Sequence, residues 1–500
     1  MFEINDLSIL VDTRYLVKSL SLTLNKNDKL AIIGEEGNGK STLLKAILGV
    51  CDYAKIEGII NLHGNRVGYL KQSLDSFELS LKVFDYLFLD KNDYYEKINS
   101  LYKYLDMFLF DDSILEQYMY TLSGGEKVKV SILKILLSEA DILFLDEPTN
   151  DLDIDTLLWL ENFINSTSKP IVYVSHDEVL LSKTANMILH LEQIKNKTEC
   201  RHTLLKIDYD TYVDKRLKSI SKQIQMAKSD KRDFRKRQAK LFQVMQIVEH
   251  KQNVISRSKP FEAAILKRKM HTLKHQENKL NNMEMTEFPD VEENINFYFE
   301  KSSLPNSKVV LKLDNYDLYI GDKLLAKNIN MEVIGNSHIC IIGSNGSGKS
   351  TLIKQIYSFL NNRDDIRVGY MPQNYDDVLE KYEYVLDFIC DSKKKEDITK
   401  SRMYLGNMKF TKEEMSGKIS NLSNGSKAKL FLIKLVLDQV NVLILDEPTR
   451  NVSPLSNPVI RSVLRDFSGC IISVSHDRKY IEEVIDSLYI LNKDGLKKEY

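Results

Sequence analysis

Short runs of alternating apolar and polar residues open the chain and are followed by a fully apolar stretch at residues 30–33. An apolar run bounded by turn residues predicts a buried β-strand. This strand leads into a glycine-rich loop and a helical stretch, and the same succession recurs after residues 341–342. Apolar runs at 144–145 and 444–445 predict one more buried strand in each half. The pattern therefore predicts two related α/β units in one chain.

The segment between these units has a different periodicity. Apolar residues recur at the spacing of a helix face in two groups, namely Leu217, Ile220 and Ile224, and then Leu266, Met270, Leu273 and Leu280. Pro260 lies between the groups and is typical of the first turn of a helix. We predict an antiparallel hairpin of two helices of about 35 residues, each about 50 Å long at 1.5 Å per residue, with its tip at about residues 248–260.

Four motifs occur twice in the same order. Lys40 and Lys349 each lie in a GxxxxGKS loop, 309 residues apart. Three further pairs are each separated by 300 residues: Ser123 and Ser423 follow a leucine, Glu147 and Glu447 follow an aspartate, and His176 and His476 follow Val-Ser. A repeat of this kind at nearly one offset indicates two copies of one nucleotide-binding unit.

A glycine-rich loop between a strand and a helix is suited to holding phosphate, because its N–H groups can surround the phosphate oxygens at the positive end of the helix. Lys40 and Lys349 would neutralise the β- and γ-phosphates. The predicted nucleotide-binding residues are Gly34, Gly37, Gly39, Lys40, Ser41, Thr42, Gln72, Ser123, Gly124, Gly125 and Asp146 in the first half, and Gly343, Asn345, Gly346, Gly348, Lys349, Ser350, Thr351, Gln373, Ser423, Gly425 and Asp446 in the second.

The paired residues also fit Mg²⁺ binding and hydrolysis. Their oxygen atoms are the ligands that Mg²⁺ prefers, and the predicted set is Ser41, Gln72, Asp146, Ser350, Gln373 and Asp446. Glu147 and Glu447 are placed to polarise an attacking water. A single histidine would more often be structural, but the pairing of His176 and His476 favours a role as γ-phosphate sensors. These two glutamates and two histidines are the catalytic candidates.

The turn at residues 122–126, Leu-Ser-Gly-Gly-Glu, together with the P-loops, the Asp-Glu strands and the histidines, resembles the ATP-binding cassette family over both halves. The resemblance implies that the nucleotide is ATP and that two cassettes face each other head to tail. Each ATP would then lie between the P-loop of one cassette and the LSGGE-type turn of the other. ATP would close the pair, and hydrolysis would let it reopen.

The two copies differ in ways that bear on these sites. Asn424 replaces the first glycine of the second turn, where a side chain hinders approach of the backbone to phosphate. Glu35 and Glu36 occupy the first P-loop where the second has Ser344 and Asn345. Head-to-tail pairing places both departures in the same composite site.

These departures predict asymmetric use of ATP. The site built from Lys349, Glu447 and Ser123 is expected to turn over faster. The site built from Lys40, Glu147 and Ser423 is expected to be slower or to act mainly as a binding clamp. The alternative is that both substitutions are tolerated without a functional effect.

The formal net charge of −1 conceals a strong asymmetry. Residues 213–280 contain nineteen Lys or Arg and six Asp or Glu, a net charge of +13. So few acidic residues cannot balance a solvated basic surface, and the segment is predicted to contact nucleic-acid phosphates. The candidate RNA-binding residues are Arg235, Lys236, Arg237, Lys240, Lys251, Arg257, Lys259 and Arg268, whereas Phe234, Phe242 and Phe261 are expected to pack rather than to stack on bases.

Two cassettes joined by a basic helical linker resemble the ABC-F subfamily. The resemblance implies a ribosome partner, with binding at the tRNA exit site and a linker that reaches the peptidyl-site tRNA, 23S rRNA and the peptidyl-transferase centre. The expected domains are an ABC ATPase domain at 1–208, the hairpin linker at 209–290 and a second ABC ATPase domain at 291–500. The fold class is thus α/β, with two P-loop ATPase domains joined by a long antiparallel α-helical hairpin.

Neither copy carries an insertion between the glutamine and the serine turn, since the gaps are 51 and 50 residues. The loop at residues 447–458 also departs from the usual Asn-His-Leu-Asp, with Ser453 where an aspartate is common. Both features resemble members that protect ribosomes from large-subunit antibiotics. The alternatives are a general translation factor that rescues stalled ribosomes, the ATPase subunit of a drug exporter, and a DNA-structure ATPase.

No apolar run approaches eighteen residues, the length that a membrane span requires. The first thirty residues also lack the layout of a secretion signal. We therefore expect a cytoplasmic protein without a membrane domain. It is expected to be a monomer, with its two cassettes paired within one chain.

Overall fold

The computed structural model describes the chain except residues 1, 89–90, 151, 195–197, 255–259, 284–285, 290–298, 300–302, 391–393, 409, 451 and 500, and describes only the backbone of 91–96. Two compact units are distinguished. One contains Met1–Asp210 and Glu292–Tyr500, and the other contains Thr211–Val291. The first unit holds both nucleotide-binding halves, which we call the first and second cassettes.

The first cassette combines a parallel core sheet with a smaller antiparallel sheet. Its strands are β1 (Phe2–Val11), β2 (Arg14–Leu24), β3 (Lys29–Ile33), β4 (Lys55–Asn61), β5 (Val67–Leu70), β6 (Ile142–Asp146), β7 (Ile171–Val174), β8 (Met187–Ile194) and β9 (Glu199–Leu205). The core sheet has the order β5-β6-β7-β3-β8-β9, and the antiparallel sheet has the order β2-β1-β4. Only the edge strand β9 runs antiparallel to its neighbour in the core sheet.

Helices connect the strands of the first cassette and cover its sheets. They are α1 (Lys40–Ile47), α2 (Ser76–Ser80), α3 (Val83–Leu87), α4 (Lys91–Phe108), α5 (Gly124–Leu137), α6 (Ile154–Ser166) and α7 (Glu178–Thr184). The main core lies between the two sheets and includes Leu20, Ile32, Leu43 and Phe144, all fully or almost fully buried. The Phe144 ring packs edge-on against Phe2, with 6.0 Å between ring centroids. This packing fixes the carboxyl end of β6, from which Asp146 projects.

The second unit is a helical hairpin, as the sequence predicts, but its helices are unequal. The helix α8 (Tyr209–Val254) has 46 residues, and α9 (Pro260–Asn281) has 22 and begins at the expected proline. The returning chain hydrogen-bonds to α8, because Asp230 accepts from the N–H and the hydroxyl of Thr286 at 3.1 and 2.7 Å. Within the predicted tip at 248–260, residues 248–254 belong to α8 and Pro260 begins α9, whereas residues 255–259 lie outside the described residues.

The second cassette repeats the core sheet of the first, but within the residues that the structure describes its smaller antiparallel sheet has two strands where that of the first cassette has three. Its strands are β10 (Val309–Ile320), β11 (Lys323–Ile334), β12 (His338–Ile342), β13 (Val368–Met371), β14 (Val442–Asp446), β15 (Cys470–Val474), β16 (Ser487–Asn492) and β17 (Gly495–Lys498). The core sheet has the order β13-β14-β15-β12-β16-β17, which matches that of the first cassette strand for strand. The candidate catalytic residues Glu147 and Glu447 therefore follow the carboxyl ends of equivalent strands.

The helices of the second cassette are α10 (Lys349–Asn361), α11 (Asp376–Leu379), α12 (Val385–Ile389), α13 (Lys395–Asn407), α14 (Lys412–Ser416), α15 (Asn424–Leu437), α16 (Asn457–Arg465) and α17 (Arg478–Val484). A continuous apolar cluster joins the α12, α13 and α15 helices to the core sheet through residues such as Phe388, Leu405 and Phe431. Across the described part of the chain, we find no helix with the length and apolar character needed to cross a membrane.

Candidate nucleotide sites and basic hairpin

Each P-loop joins a buried core strand to the helix that follows it. The glycines that precede the two lysines, Gly39 and Gly348, have φ angles of 90° and 98°. Residues with side chains rarely adopt this left-handed backbone, so glycine is required where the loop turns into the helix. The loops hold the remaining predicted residues Gly34, Gly37, Gly343, Asn345 and Gly346 on β3–α1 and β12–α10, with Thr42 and Thr351 in the first turn of each helix.

The P-loop lysines are buried, and each is bonded to its own loop. The Lys40 ammonium donates to the carbonyl oxygens of Gly34 and Glu35 at 2.9 and 3.1 Å. The Lys349 ammonium donates to the corresponding carbonyls of Gly343 and Ser344 at 2.8 and 2.9 Å. Burial lowers the pKa of both lysines. Two poorly hydrated cations that face the inside of a loop are suited to binding phosphate oxygens.

A serine and an aspartate form a pair at the mouth of each loop. The Ser41 hydroxyl donates to Asp146 at 2.9 Å, and the Ser350 hydroxyl donates to Asp446 at 3.3 Å. Burial raises the pKa of both aspartates. The buried Oδ2 atom of Asp446 has no hydrogen-bond partner among the described residues. A hydroxyl and a carboxylate with a spare oxygen are a donor set that fits Mg²⁺.

The two candidate catalytic glutamates, Glu147 and Glu447, have a strained backbone. Glu147 and Glu447 have φ angles of 49° and 55°, which is unusual for residues other than glycine. In the first cassette, Glu147 accepts from Nε2 of Gln72 at 3.2 Å and contacts Nε2 of His176 at 3.2 Å. Strain that is conserved between the two copies and held by hydrogen bonds is typical of functional positions.

The surroundings of the two glutamates differ. Burial opposes ionisation of Glu147, but its hydrogen bonds with His176 and Asn150 outweigh burial and lower its pKa to about 2. Burial and the nearby Asp446 instead raise the pKa of Glu447 to about 7. Glu447 accepts hydrogen bonds from the N–H of His476 and from the Ser475 hydroxyl, both at 3.3 Å. The copies thus present one firmly ionised carboxylate and one that is half protonated near neutral pH.

The serine turns begin helices α5 and α15, with Ser123 and Ser423 as N-cap residues. Ser123 and Glu126 form a capping box, in which the Glu126 N–H donates to the Ser123 hydroxyl at 3.3 Å and the Ser123 N–H donates to the Glu126 carboxylate at 2.8 Å. In the second turn the equivalent residue is Ser426, whose hydroxyl lies 3.1 Å from that of Ser423. Gly124 and Gly125 lie in the first turn of α5, and Gly425 in that of α15. The second turn therefore presents N–H groups to an anion without an adjacent carboxylate of its own.

A carboxylate from the opposite cassette occupies this second turn. Glu36, in the first P-loop, accepts a hydrogen bond from the N–H of Gly425. Its neighbour Glu35 lies 3.8 Å from the Lys429 ammonium. The contact brings the first P-loop and the second turn together, in the head-to-tail arrangement expected from the sequence. It also reveals a use for Glu36 that the motif alone does not indicate.

The second P-loop lies in a cavity of about 430 Å³ that both cassettes line. The sequence-predicted residues Asn345, Gly346, Gly348, Lys349, Ser350, Thr351, Gln373, Asp446, Glu447 and His476 all face it, together with His176 of the first cassette. Leu325, Asn150 and Arg450 also line the cavity, although the sequence did not identify them as site residues. The 300-residue spacing of Asn150 and Arg450, three positions beyond the glutamates, could have revealed that pair.

The basic hairpin exposes most of its predicted RNA-binding residues. Arg235, Lys236, Arg237, Lys240, Lys251 and Arg268 are exposed, whereas Arg257 and Lys259 lie outside the described residues. The expectation that the phenylalanines pack is wrong for two of them, since Phe242 is 60% exposed and Phe261 is 78% exposed. Helix periodicity could not reveal this, because it does not say which apolar residues face a partner element.

Comparisons with known proteins agree with this geometry. The family model described as ABC transporter matches residues 17–150 and 326–450, which together exceed half of the chain. The ATP-binding protein YdiF of Bacillus subtilis is 29% identical over 549 residues, a match that covers 100% of this chain and 81% of that protein. ABC transporter F family member 5 of Arabidopsis thaliana is 25% identical, with 97% and 74% covered.

Solved structures share the fold. A chain in the crystal structure of the complex of archaeal ribosomal stalk protein aP1 and archaeal ribosome recycling factor aABCE1 superposes with a TM-score of 0.60 at 18% identity, covering 98% of this chain and 90% of that one. The RNase-L inhibitor gives a TM-score of 0.58 at 18% identity, covering 98% and 89%. The paired-cassette architecture is therefore common to these proteins.

Proposed function

The chain belongs to the ABC transporter family through two ATP-hydrolysing domains, and from this premise we propose that it is an ABC-F ATPase that works on the ribosome. ATP would bind between each P-loop and the facing serine turn and draw the cassettes together. The closed pair would hold the basic hairpin against ribosomal RNA and the peptidyl-site tRNA, from the tRNA exit site. Hydrolysis would then release the protein.

The observation that carries this proposal is an exposed, strongly basic hairpin joined to two ATPase cassettes. Its exposed cations are unbalanced by acidic residues, with a net charge of +13 over residues 213–280. Such a surface binds polyanions by releasing their counterions. The matched relatives named for their ATP-binding or ABC-F domains support the same assignment. A ribosome partner is also consistent with the expected cytoplasmic location of the protein.

The chain's own residues suggest how each step would proceed. Lys40 and Lys349 would exchange their loop carbonyls for phosphate oxygens, and Ser41, Asp146, Ser350 and Asp446 would hold Mg²⁺, with Gln72 and Gln373 nearby. When bound, Mg²⁺ would neutralise charge that develops on the phosphates. Glu147 and Glu447 would orient and polarise the attacking water, and the adjacent histidines would contact the γ-phosphate.

Within this function, we favour protection of the ribosome from large-subunit antibiotics over general rescue of stalled ribosomes. The support is the loop after Glu447, where Ser453 is buried and its hydroxyl lies 3.1 Å from that of Ser456. A neutral serine that is hydrogen-bonded within its own loop therefore stands where the family resemblance implies an aspartate. The hairpin would act at the peptidyl-transferase centre, where such drugs bind.

Cosedimentation tests ribosome binding. The Glu147→Gln plus Glu447→Gln protein should bind ATP without hydrolysing it, and we expect it to pellet with 70S ribosomes. ATP-free protein, treated in parallel, should stay in the supernatant. Recovery of the locked protein with membrane vesicles or with free DNA, and not with ribosomes, would contradict the proposal.

We also propose that the two ATP sites are unequal. The first P-loop presents Glu36 to the turn that should hold the γ-phosphate, whereas the second P-loop opens into a cavity. We expect Glu447→Gln to remove most of the turnover and Glu147→Gln to remove much less. Equal losses in single-turnover phosphate release would show that the sequence differences are functionally neutral.

A further inference from the structure

Two largely buried ion pairs cross between the cassettes near the candidate γ-phosphate sensors His176 and His476, which we call the switch histidines. The Arg461 guanidinium donates to both carboxylate oxygens of Glu178, at 2.6 and 3.1 Å. The Arg478 guanidinium pairs with Glu161 and donates to the Asp177 carboxylate at 3.2 Å. Arg461 is 3% exposed. These arginines belong to the second cassette, and all three acids belong to the first.

The two pairs are related by the internal repeat. Glu161 and Arg461 are 300 residues apart, on α6 and α16, and Glu178 and Arg478 are 300 residues apart, at the starts of α7 and α17. At a two-fold interface, if position i contacts position j, then j also contacts i. Arg461 therefore contacts Glu178, the first-cassette counterpart of Arg478. Arg478 in turn contacts Glu161, the first-cassette counterpart of Arg461.

The charges break this symmetry completely. Both positions are acidic in the first cassette and basic in the second. Pairing of the first cassette with the second gives two attractive contacts. Pairing of two first cassettes would bring Glu161 against Glu178 twice, and pairing of two second cassettes would bring Arg461 against Arg478 twice. Specificity of this kind comes from repulsion in the wrong pairing as much as from attraction in the right one.

The pairs also hold residues that line the nucleotide cavity. Asp177 and Asp477 follow the switch histidines, and all four residues face that cavity. A further contact joins the cassettes here, between Nδ1 of His176 and the carbonyl oxygen of Val452 at 2.9 Å. Arg461 and Arg478 do not line the cavity themselves, so they are positioning residues.

We propose that the crossed pairs Arg461–Glu178 and Arg478–Glu161 determine by their charges which cassettes pair, and that they form the pivot about which the paired cassettes move. The pivot keeps the cassettes of one chain together between rounds of hydrolysis and prevents pairing between equivalent cassettes of two chains. The cassettes then open and close about this point, and both switch histidines stay aligned.

Two full-length variants test the charge code. The all-acidic chain carries Arg461→Glu and Arg478→Glu, and the all-basic chain carries Glu161→Arg and Glu178→Arg. Each alone should lose about tenfold or more in ATP turnover, because every cassette pairing then juxtaposes like charges. When the two chains are mixed in equal amounts, they can form a dimer with two cassette pairs. One pair has an acidic first cassette and a basic second cassette, as in the unmodified protein, and the other pair has these charges exchanged. We expect turnover to recover at least severalfold and light scattering to show a dimer of twice the monomer mass.

A folding defect cannot produce this recovery, because mixing two misfolded chains does not repair either. The matched control is Arg465→Glu, one turn along α16 on an exposed side chain, which should retain the turnover of the unmodified protein. Circular dichroism melts establish that the variants are folded. If either variant fails to fold, Arg461→Glu is compared with Arg461→Glu plus Glu178→Arg, and the added change should restore turnover.

Two results would overturn the proposal. The first is near-normal turnover and a monomeric mass for the folded all-acidic chain. The second is a folded pair of variants that stay inactive and monomeric when mixed, or, in the fallback comparison, no restoration by the second charge reversal.

Discussion

The two candidate catalytic glutamates, Glu147 and Glu447, occupy equivalent positions but differ in ionisation. Hydrogen bonds from His176 and Asn150 hold the pKa of Glu147 at about 2, whereas burial beside Asp446 raises that of Glu447 to about 7. A carboxylate can polarise water only when it is ionised. The same motif therefore gives a base that is ready at any physiological pH and one whose readiness depends on pH.

This difference predicts separate pH profiles. In the Glu147→Gln protein, turnover depends on Glu447, which is mostly protonated below pH 7, so turnover should rise about tenfold from pH 6 to pH 8. In the Glu447→Gln protein, turnover depends on Glu147, which is ionised throughout, so the profile should be nearly flat. Phosphate release at saturating ATP measures both. Protonation of ATP itself affects the two proteins alike, so parallel profiles would contradict the assignment.

Glu36 places a negative charge where a phosphate should bind. Its carboxylate accepts from the Gly425 N–H, so ATP must displace it before the first P-loop and the second turn can share a γ-phosphate. The second P-loop has Asn345 at the same position, which provides a matched exchange within one chain.

Exchanging these residues should move ATP affinity in opposite directions. Glu36→Asn should strengthen binding at the first site by about tenfold, equivalent to about 1.4 kcal/mol, and Asn345→Glu should weaken the second site by a similar factor. Calorimetric titration in the hydrolysis-deficient double-glutamine background separates the two sites. Weaker ATP binding by the Glu36→Asn protein would mean that Glu36 assists the nucleotide instead of competing with it.

At the scale of elements, local chemistry decided what could be predicted from the sequence. The P-loops, the Asp-Glu strands and the capped serine helices each need particular residues at short spacing, so their motifs identify them. The start of α9 is also local, because Pro260 suits a first helical turn. No such local signal marks the end of α8. The sequence predicts two equal helices of about 35 residues, whereas the helices have 46 and 22 residues.

Contacts between distant elements were beyond local reasoning. The partners Glu178 and Arg461 are separated by 283 positions, and nothing near either residue indicates that they meet. The contact of Glu36 with Gly425 spans 389 positions, and only the head-to-tail pairing implied by the family resemblance indicated that the first P-loop and the second turn would meet. The pairing of Glu178 with Arg461 became apparent only in the folded structure.

The hairpin makes a prediction at this scale about salt. Changing Arg235, Lys236, Arg237 and Lys240 to glutamine should weaken ribosome binding and reduce its salt dependence, because up to four phosphate contacts would be lost. The logarithmic salt slope should fall by about 0.7 to 0.9 per contact. Quantitative pelleting from 50 to 300 mM salt, on the order of the range over which such contacts weaken, measures it.

The control removes the same charge elsewhere. Lys323, Lys327, Lys493 and Lys497 are exposed on the second cassette, and their change to glutamine should leave the slope nearly unaltered. An equal change in slope from both sets would mean that net charge, and not the hairpin, governs binding.

At the scale of the whole molecule, the proposed function requires nucleotide state and ribosome binding to be coupled. A ligand shifts an equilibrium only by its difference in affinity for the two states. In the proposed function, ATP would bind the closed cassettes better because its phosphates would bridge a P-loop and the opposite serine turn. Ribosome binding by the closed form must, by the same linkage, strengthen ATP binding. The roles of the cassettes and the hairpin should thus be separable in experiment, since hydrolysis would need only the cassettes and the proposed protection would need both.

Deleting residues 248–260 tests this separation. The shortened protein should keep ATP turnover within about twofold of the full chain, since the cassettes and their crossed ion pairs remain intact. A sensitive host that expresses it should nevertheless be as susceptible as the empty host to a panel of large-subunit antibiotics, whereas a host that expresses the full chain should be protected. Shortening the hairpin removes its reach while ATP still closes the cassettes. Protection by the deleted protein would place the effector in the cassettes, and failure of the full chain against every drug would favour general rescue of stalled ribosomes.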